Sequence, residues 1–134
     1  MPFEGPTQDY IAIQQLVSGY GDAVSRLHLE DFTALWTEDA VWIHPRLGEI
    51  AGRAAIVETC RAALGRMEAL LFTSSLGSLR VTGDEAAGRV WVEEVVRAPG
   101  AAPVRQAGRY DDVYRRQDGA WLFSRREMTI LHRG

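Results

Sequence analysis

Few side chains in this sequence can exchange a proton near neutral pH, and the histidines are the first to consider. They are His28, His44 and His132. Only His44 falls on a predicted strand, where the two-residue repeat places it on the same face as Trp42. It is therefore our candidate base or hydrogen-bond donor. The alternative is a histidine at the rim of the molecule, directly before Pro45.

A second candidate group joins a cation to a carboxylate on the last strands. Arg126 can meet either Asp112 or Glu94, since both fall on plausible inward faces of neighbouring predicted strands. Such a pair could bind a polar group of a ligand or orient a water molecule. The alternative, which we favour, is a structural ion pair that holds the sheet together. Glu93 and Glu94 point to opposite faces, and the sequence leaves open which one is inside.

Motifs that bind metals or nucleotides are absent from the sequence. It contains no His, Cys, Asp and Glu cluster at metal-ligand spacing, no glycine-rich phosphate loop and no G-x-S-x-G elbow. We therefore expect no metal and no cofactor. The single cysteine, Cys60, excludes an internal disulfide and lies on the apolar face of a predicted helix, which indicates a small buried residue.

Composition narrows the class of partner. The 134 residues are 46% hydrophobic and 25% charged, with a net charge of −3, as in an ordinary globular protein. We expect one domain, residues 1–134, and no nucleic-acid partner, because the basic residues are interleaved with acids. The sequence shows no signal peptide and no apolar stretch of membrane-spanning length, so we expect a cytoplasmic protein without a membrane partner.

The elements that must position these residues can be read from the hydrophobic repeats. Helix periodicity, β-prone runs and turn signals succeed one another along the chain in the order α-α-β-α-β-β-β-β. This order predicts an α+β fold, a curved mixed or antiparallel sheet with about three N-terminal helices on its concave face. The predicted helices are 8–27, 30–37 and 53–67, the strands are 40–44, 70–81, 87–97, 104–116 and 121–131, and 45–52 is a loop.

The last two predicted strands form a hairpin around Asp118 and Gly119, a strong two-residue turn signal. Strict alternation predicts how side chains divide between the two faces. In the second strand it places Leu122, Ser124, Arg126 and Met128 on one face and Trp121, Phe123 and Arg125 on the other. In the first predicted helix, Gly19 and Gly21 indicate a close approach of another segment to the backbone.

Four stretches of the chain resemble the SnoaL-like branch of the nuclear transport factor 2-like superfamily. They are AIQQLVSGYGDAVSR, EDFTALWTEDAVW, GEIAGRAAI and GRYDDVYRRQDGAWLFSRRE. The resemblance implies a cone-shaped sheet closed by helices around a deep apolar cavity. Proteins of this shape include ketosteroid isomerase, scytalone dehydratase, hexachlorocyclohexane dehydrochlorinase and polyketide cyclases, as well as non-enzymatic binding proteins and scaffolds.

The resemblance also implies positions for catalytic residues. The dehydratase and dehydrochlorinase members use an Asp–His pair to abstract a proton. Their aspartate position corresponds to Ser25 and their histidine position to Ser74, so this chain lacks both groups. Asp22 lies one helical turn before Ser25, on nearly the same face, and is our candidate replacement for the acid. The alternative is a surface carboxylate paired with an arginine.

Further pocket positions carry over from the resemblance. Trp42 and Tyr110 match aromatic lining positions, Tyr20 matches a polar position on the first helix, and Arg126 matches a cationic position. We expect these residues, with Ser25 and Ser74, to contact a ligand.

Three hypotheses of function follow. The first is a small cofactor-independent enzyme that isomerises, dehydrates, cyclises or hydrolyses a small hydrophobic molecule, with Asp22 or His44 as acid or base. The second is a non-catalytic protein that binds such a ligand. The third is a structural dimerising module, with Trp91 and Trp121 on the outer face of the sheet. A homodimer is expected under all three.

Overall fold

The helices of this protein lie in the first half of the chain and its four longest strands in the second. The computed structural model describes residues 2–134. The helices are α1 (Thr7–Ser25), α2 (Leu29–Thr33) and α3 (Arg53–Leu64). The strands are β1 (Phe3–Glu4), β2 (Trp36–His44), β3 (Gly48–Ala51), β4 (Ala69–Thr82), β5 (Glu85–Arg97), β6 (Val104–Gln117) and β7 (Ala120–Arg133).

All seven strands belong to one curled sheet, in the order β1-β4-β5-β6-β7-β2-β3. The pairs β1–β4 and β2–β7 are parallel, and the other four are antiparallel. In the described part of the chain the edge strands β1 and β3 do not pair with each other, so the sheet stays open. The predicted fold class, an α+β cone with three helices packed against a curved sheet, is confirmed.

Helix α1 lies across the concave face of the sheet. Its apolar stripe is buried, including Ile13, Val17 and Tyr20, whereas Leu27, at the end of the predicted helix, is exposed and lies beyond α1. A Cβ atom added at Gly21 would lie 3.2 Å from the carbonyl oxygen of Phe72, so this glycine permits the close approach that we predicted. No helix within residues 2–134 is both long enough and apolar enough to cross a membrane.

The start of α1 is held by the closing hairpin. The buried carboxylate of Asp9 accepts hydrogen bonds from Arg116 Nη1 at 3.0 Å and from Trp121 Nε1 at 3.2 Å. Trp121 is therefore part of the core, with an exposed fraction of 6%. Its predicted place on the outer face is wrong. Trp91 does lie on that face, with 44% of its surface exposed.

The hairpin turn has the predicted geometry. Asp118 and Gly119 have φ angles of 51° and 80°, and two successive positive angles are typical of the tight turns that match strand twist. Further along, a bulge shifts the register between Val113 and Tyr114. Strict alternation fails there. Trp121 and Phe123 are buried before the shift, and Arg126 and Met128 are buried after it.

Several element boundaries differ from the predicted ones. Helix α2 ends at Thr33, and the stretch from Trp36 onward is already strand, because the core residues Trp36 and Ala40 pack inside the sheet. The predicted loop 45–52 contains β3, which pairs with β2 through a turn at residues 45–47. Strand β1 is only two residues long, too short to produce a periodic signal.

Candidate active site

A cavity of about 430 Å³ lies between the concave face of the sheet, α1 and α3. This volume is within the range of small-molecule sites. Its walls are mainly apolar, with side chains such as Val24, Leu64, Leu70, Phe72, Val96 and Met128. The polar and aromatic groups that line it are Tyr20, Trp42, His44, Glu94, Gln106 and Tyr110, with Arg46, Arg66 and Arg133 at its mouth.

Glu94 is the one acidic residue that lines this cavity within residues 2–134. It follows the buried Val92 on the inner face of β5, whereas Glu93 points outward and pairs with Arg105 at 3.4 Å. Gln106, opposite it on β6, donates a hydrogen bond from Nε2 to Glu94 Oε1 at 2.8 Å. Burial raises the pKa of Glu94 above its usual range. The site therefore holds an acid that retains its proton to higher pH than a surface glutamate.

His44 lines the same cavity and shares a face with Trp42, as predicted; their ring centroids are 5.8 Å apart. The backbone N–H of Arg46 donates to His44 Nδ1 at 3.1 Å. The neutral ring therefore carries its proton on Nε2. Burial, together with the nearby charge of Arg46, lowers the pKa of His44. At neutral pH the side chain is uncharged and has an N–H to donate.

Two phenols and an indole form the inner wall, and all three are predicted ligand contacts. Trp42 Nε1 donates to the hydroxyl oxygen of Tyr110 at 3.3 Å. The rings of Tyr20 and Tyr110 lie edge to face, 6.2 Å between centroids. Burial raises the pKa of both phenols, so both stay protonated at neutral pH. The phenols of Tyr20 and Tyr110 can thus present hydrogen-bond donors to a ligand in an apolar setting, whereas the one N–H of Trp42 is already donated to Tyr110.

Arg126 lies behind this wall and does not line the cavity. Its guanidinium binds Asp112 through two hydrogen bonds, Nε to Oδ1 at 2.8 Å and Nη2 to Oδ2 at 3.1 Å. Tyr114 donates its hydroxyl proton to Asp112 Oδ2 at 2.7 Å. Burial raises the pKa of the Asp112 carboxyl, and the hydrogen bonds from Arg126 and Tyr114 act against that rise. This is the structural ion pair that we favoured, with Asp112 as its acid.

The rings of the core enclose the charge of Arg126. Its guanidinium carbon lies 3.9 Å from the ring centroid of Tyr110, 4.2 Å from Phe123 and 4.4 Å from Tyr20. Of the three guanidinium nitrogens of Arg126, only Nη1 has no hydrogen-bond partner within residues 2–134. Because Arg126 contacts two of the phenols that line the cavity, it positions the wall.

The two serines that the resemblance matches to catalytic positions, Ser25 and Ser74, are not among the residues that line the cavity. Ser25 Oγ accepts a hydrogen bond from the N–H of Phe72 at 2.9 Å and donates to its carbonyl oxygen at 3.4 Å. It thereby fastens the end of α1 to β4. Ser74 lies in a second, shallow depression together with Trp91 and Leu131. The structure does not bring either serine to the other candidates.

Asp22 is also outside the cavity, and its predicted place on the cavity face is wrong. Its side chain is 67% exposed and accepts a hydrogen bond from Arg26 Nε at 3.0 Å. The inward positions of this turn of α1 are taken by Tyr20, Ala23 and Val24. Asp22 matches the alternative left open by the sequence, a surface carboxylate paired with an arginine.

Cys60 lines the cavity without offering a nucleophile. It is buried, as predicted, and burial raises the pKa of its thiol to about 12. It therefore stays protonated and inert near neutral pH. Within residues 2–134, no group of three or more His, Cys, Asp and Glu side chains is arranged to hold a metal ion.

Gln106 is the main site residue that the sequence did not single out, although a signal for it existed. Tyr110 and Asp112 face inward, and alternation carried back along β6 reaches Gly108 and Gln106. The arginines at the mouth left no such signal, because turns and strand ends have no periodic repeat.

Comparison with known proteins identifies the relatives of this chain. The model of the family described as SnoaL-like domain matches residues 6–127. An uncharacterised protein of Mycobacterium tuberculosis strain H37Rv is 32% identical over 124 residues, which cover 90% of this chain and 84% of that protein.

Solved structures share the fold. One, from Novosphingobium aromaticivorans and described provisionally as a scytalone dehydratase, superposes with a TM-score of 0.89 at 23% identity, covering 96% of this chain and 87% of the other. A hexachlorocyclohexane dehydrochlorinase from Novosphingobium barchaimii gives a TM-score of 0.85 at 22% identity, covering 96% and 90%. At these identities the likeness is one of fold.

Proposed function

The chain belongs to the SnoaL-like family, and from that premise we propose that it is a small cofactor-independent enzyme of the isomerase or lyase type. It moves a proton within a small hydrophobic molecule held in the cavity. The observation that carries the proposal is Glu94, a half-buried carboxyl that lines a mainly apolar cavity and accepts a hydrogen bond from Gln106. Acids whose pKa is raised by burial in a cleft are frequent in catalytic sites.

Glu94 has the properties of a general acid or base. A raised pKa makes its carboxylate more basic and lets its acid form persist closer to neutral pH. It would remove a proton from the substrate and return it at another position or to a leaving group.

Hydrogen-bond donors complete the proposed site. When a proton leaves carbon next to a carbonyl, negative charge develops on the carbonyl oxygen, and placed donors stabilise it. Neutral His44, with its proton on Nε2, and the protonated phenol of Tyr110 are suited to that role. Trp42 orients Tyr110 through its indole N–H.

The names of the two structural neighbours, a dehydratase and a dehydrochlorinase, support elimination or isomerisation over group transfer. In this chain the acid would not stand at the family's helix position, which Ser25 occupies as a fastening residue. The catalytic proton transfer would instead be made from β5, by Glu94. A second candidate, a binding protein without turnover, is favoured by serines at both family catalytic positions.

Hydrogen exchange at carbon tests the proposal without knowledge of the product. The protein is incubated in D₂O with a panel of small cyclic and aromatic ketones, and mass spectrometry reads deuterium uptake. We expect wild type to label at least one ketone and Glu94→Gln to lower the rate about 100-fold or more. Glu93→Gln, the adjacent outward-facing residue, is the matched control and should keep the rate.

Two results would contradict an enzyme that works through Glu94. One is wild-type exchange no faster than a protein-free blank across the panel. The other is an equal rate from wild type and Glu94→Gln. Binding of a ketone with no exchange would favour the non-catalytic alternative.

A further inference from the structure

The arginines of this chain divide sharply by whether they have an acidic partner. All fifteen basic residues are arginine. Within residues 2–134, eleven of them form ion pairs with aspartate or glutamate. Of the remaining four, Arg53 donates to the carbonyl oxygen of Trp36 at 3.3 Å. The other three, Arg46, Arg66 and Arg133, all line the cavity.

These three arginines reach the cavity mouth from separate parts of the chain. Arg46 lies in the turn between β2 and β3, Arg66 in the connection from α3 to β4, and Arg133 at the end of β7. All three are exposed to solvent. The protein has a net charge of −3, so three unpaired cations at one opening form a positively charged patch on a molecule that is negative as a whole.

Among residues 2–134, no aspartate or glutamate forms an ion pair with any of the three. Glu68, two residues after Arg66, is engaged by Arg97 at 3.5 Å. Glu94, deeper in the cavity, is held by the side chain of Gln106. The three guanidinium groups are therefore available to an anion from outside the chain.

We propose that the cavity takes ligands with an apolar body and one anionic oxyacid group, held at the mouth by Arg46, Arg66 and Arg133. The inference rests on the proposed function in naming a substrate class for the same cavity. Guanidinium groups bind the oxygens of carboxylate, sulfonate and phosphate through paired hydrogen bonds. Each exposed contact is weak, but three directed at one group add up. The apolar body then lies against the walls, within reach of Glu94.

A matched pair of fluorescent probes tests this. 8-Anilinonaphthalene-1-sulfonate and N-phenyl-1-naphthylamine share one apolar body and differ by the sulfonate. We expect wild type to bind the sulfonate about tenfold more tightly than the neutral probe, with the preference falling as salt is added. The triple variant R46Q/R66Q/R133Q should lose the preference and bind the neutral probe as wild type does.

The control is R80Q/R89Q/R105Q, which removes the same charge from acid-paired arginines outside the cavity. It should keep the preference. Equal binding of the two probes by wild type would overturn the proposal, because the arginines would then not attract the sulfonate. An equal loss of preference in both triple variants would also overturn it, because the attraction would then come from net charge and not from these three arginines.

Displacement of the bound sulfonate identifies the anionic group. 2-Naphthoate and 2-naphthyl phosphate should each displace it better than neutral 2-naphthamide, and the stronger of the two names the natural group. An amide as effective as both anions would overturn the proposal. If the protein prefers the sulfonate probe but catalyses no hydrogen exchange at carbon, the anion site stands and the proposed enzyme activity is rejected. If it catalyses exchange without preferring the sulfonate, the enzyme activity stands and the anion site is rejected.

Discussion

At the scale of single residues, the burial of Glu94 makes the stability of the folded protein depend on pH. Its pKa is raised in the folded state, because burial penalises the carboxylate. The folded protein therefore binds this proton more tightly than the unfolded chain, and the stability associated with Glu94 is lost as pH rises above the ordinary glutamate value. A neutral side chain at this position avoids that loss.

Glu94→Gln should accordingly raise the melting temperature at pH 8, with the difference shrinking as pH falls to 3, where the wild-type carboxyl is protonated in both states. Thermal unfolding followed by circular dichroism across this range measures the difference. Glu93→Gln should show no such trend, because Glu93 is exposed. A difference that stays constant with pH would show that Glu94 titrates like a surface residue.

The buried ion pair makes a second prediction at this scale. Asp112→Asn leaves the guanidinium of Arg126 charged and fully buried, with its acid removed. The expected cost is about 3–5 kcal/mol in the free energy of unfolding, measured with urea. The double variant D112L/R126M removes both charges and should recover most of that loss. A cost below about 1 kcal/mol for Asp112→Asn would mean that the pair is not buried in solution.

At the scale of elements, Ser25 connects α1 to β4. Ser25→Ala removes both hydrogen bonds to the backbone of Phe72 and leaves its N–H without a partner. We expect a loss of about 1–3 kcal/mol and faster hydrogen exchange at the Phe72 amide. Binding of the neutral naphthylamine probe by the folded variant should not change. If Ser25→Ala weakened that binding with stability intact, Ser25 would be a ligand contact after all.

Local signals determined which elements the sequence revealed. The hairpin turn needs only Asp118 and Gly119, and the stripe of α1 repeats over five turns, so both could be predicted. The start of β2 depends on pairing with the distant β7, which no local repeat encodes, and β3 is only four residues long, too short for a repeat of its own. The extra residue on β7, between Phe123 and Arg125, reversed the faces of the later side chains of that strand, and it too is set by the pairing with β6.

The site was less predictable than the fold, because it depends on the direction in which individual side chains point and on residues in irregular segments. Alternation on β5 allowed either Glu93 or Glu94 inside, and only packing against the helices decides. Asp22 was placed by sequence spacing, but a helix turns 100° per residue, so three positions shift the side chain far enough to expose it. Arg46 and Arg66 come from turns, where no pattern predicts direction.

At the scale of the whole molecule, the outer face of the sheet leads to a prediction about assembly. Leu71, Trp91 and Leu131 are exposed there by 57%, 44% and 56%. We predict that this face pairs with a second copy and that Trp91→Glu, which places a charge in that contact, yields a monomer. Sedimentation velocity measures the state. A monomeric wild type, or a dimer unchanged by the substitution, would contradict it.

The open cone places Glu94 inside the cavity and three arginines without acidic partners at its mouth, and one measurement tests Glu94 directly. Carbon-13 NMR can titrate the Glu94 side-chain carboxyl, assigned by the signal lost in Glu94→Gln. The pKa should lie above the ordinary value of 4.5, and N-phenyl-1-naphthylamine should raise it further by displacing water. A pKa at or below 4.5 that the probe does not change would mean that Glu94 is a solvated carboxylate, unable to serve as the acid or base of this cavity.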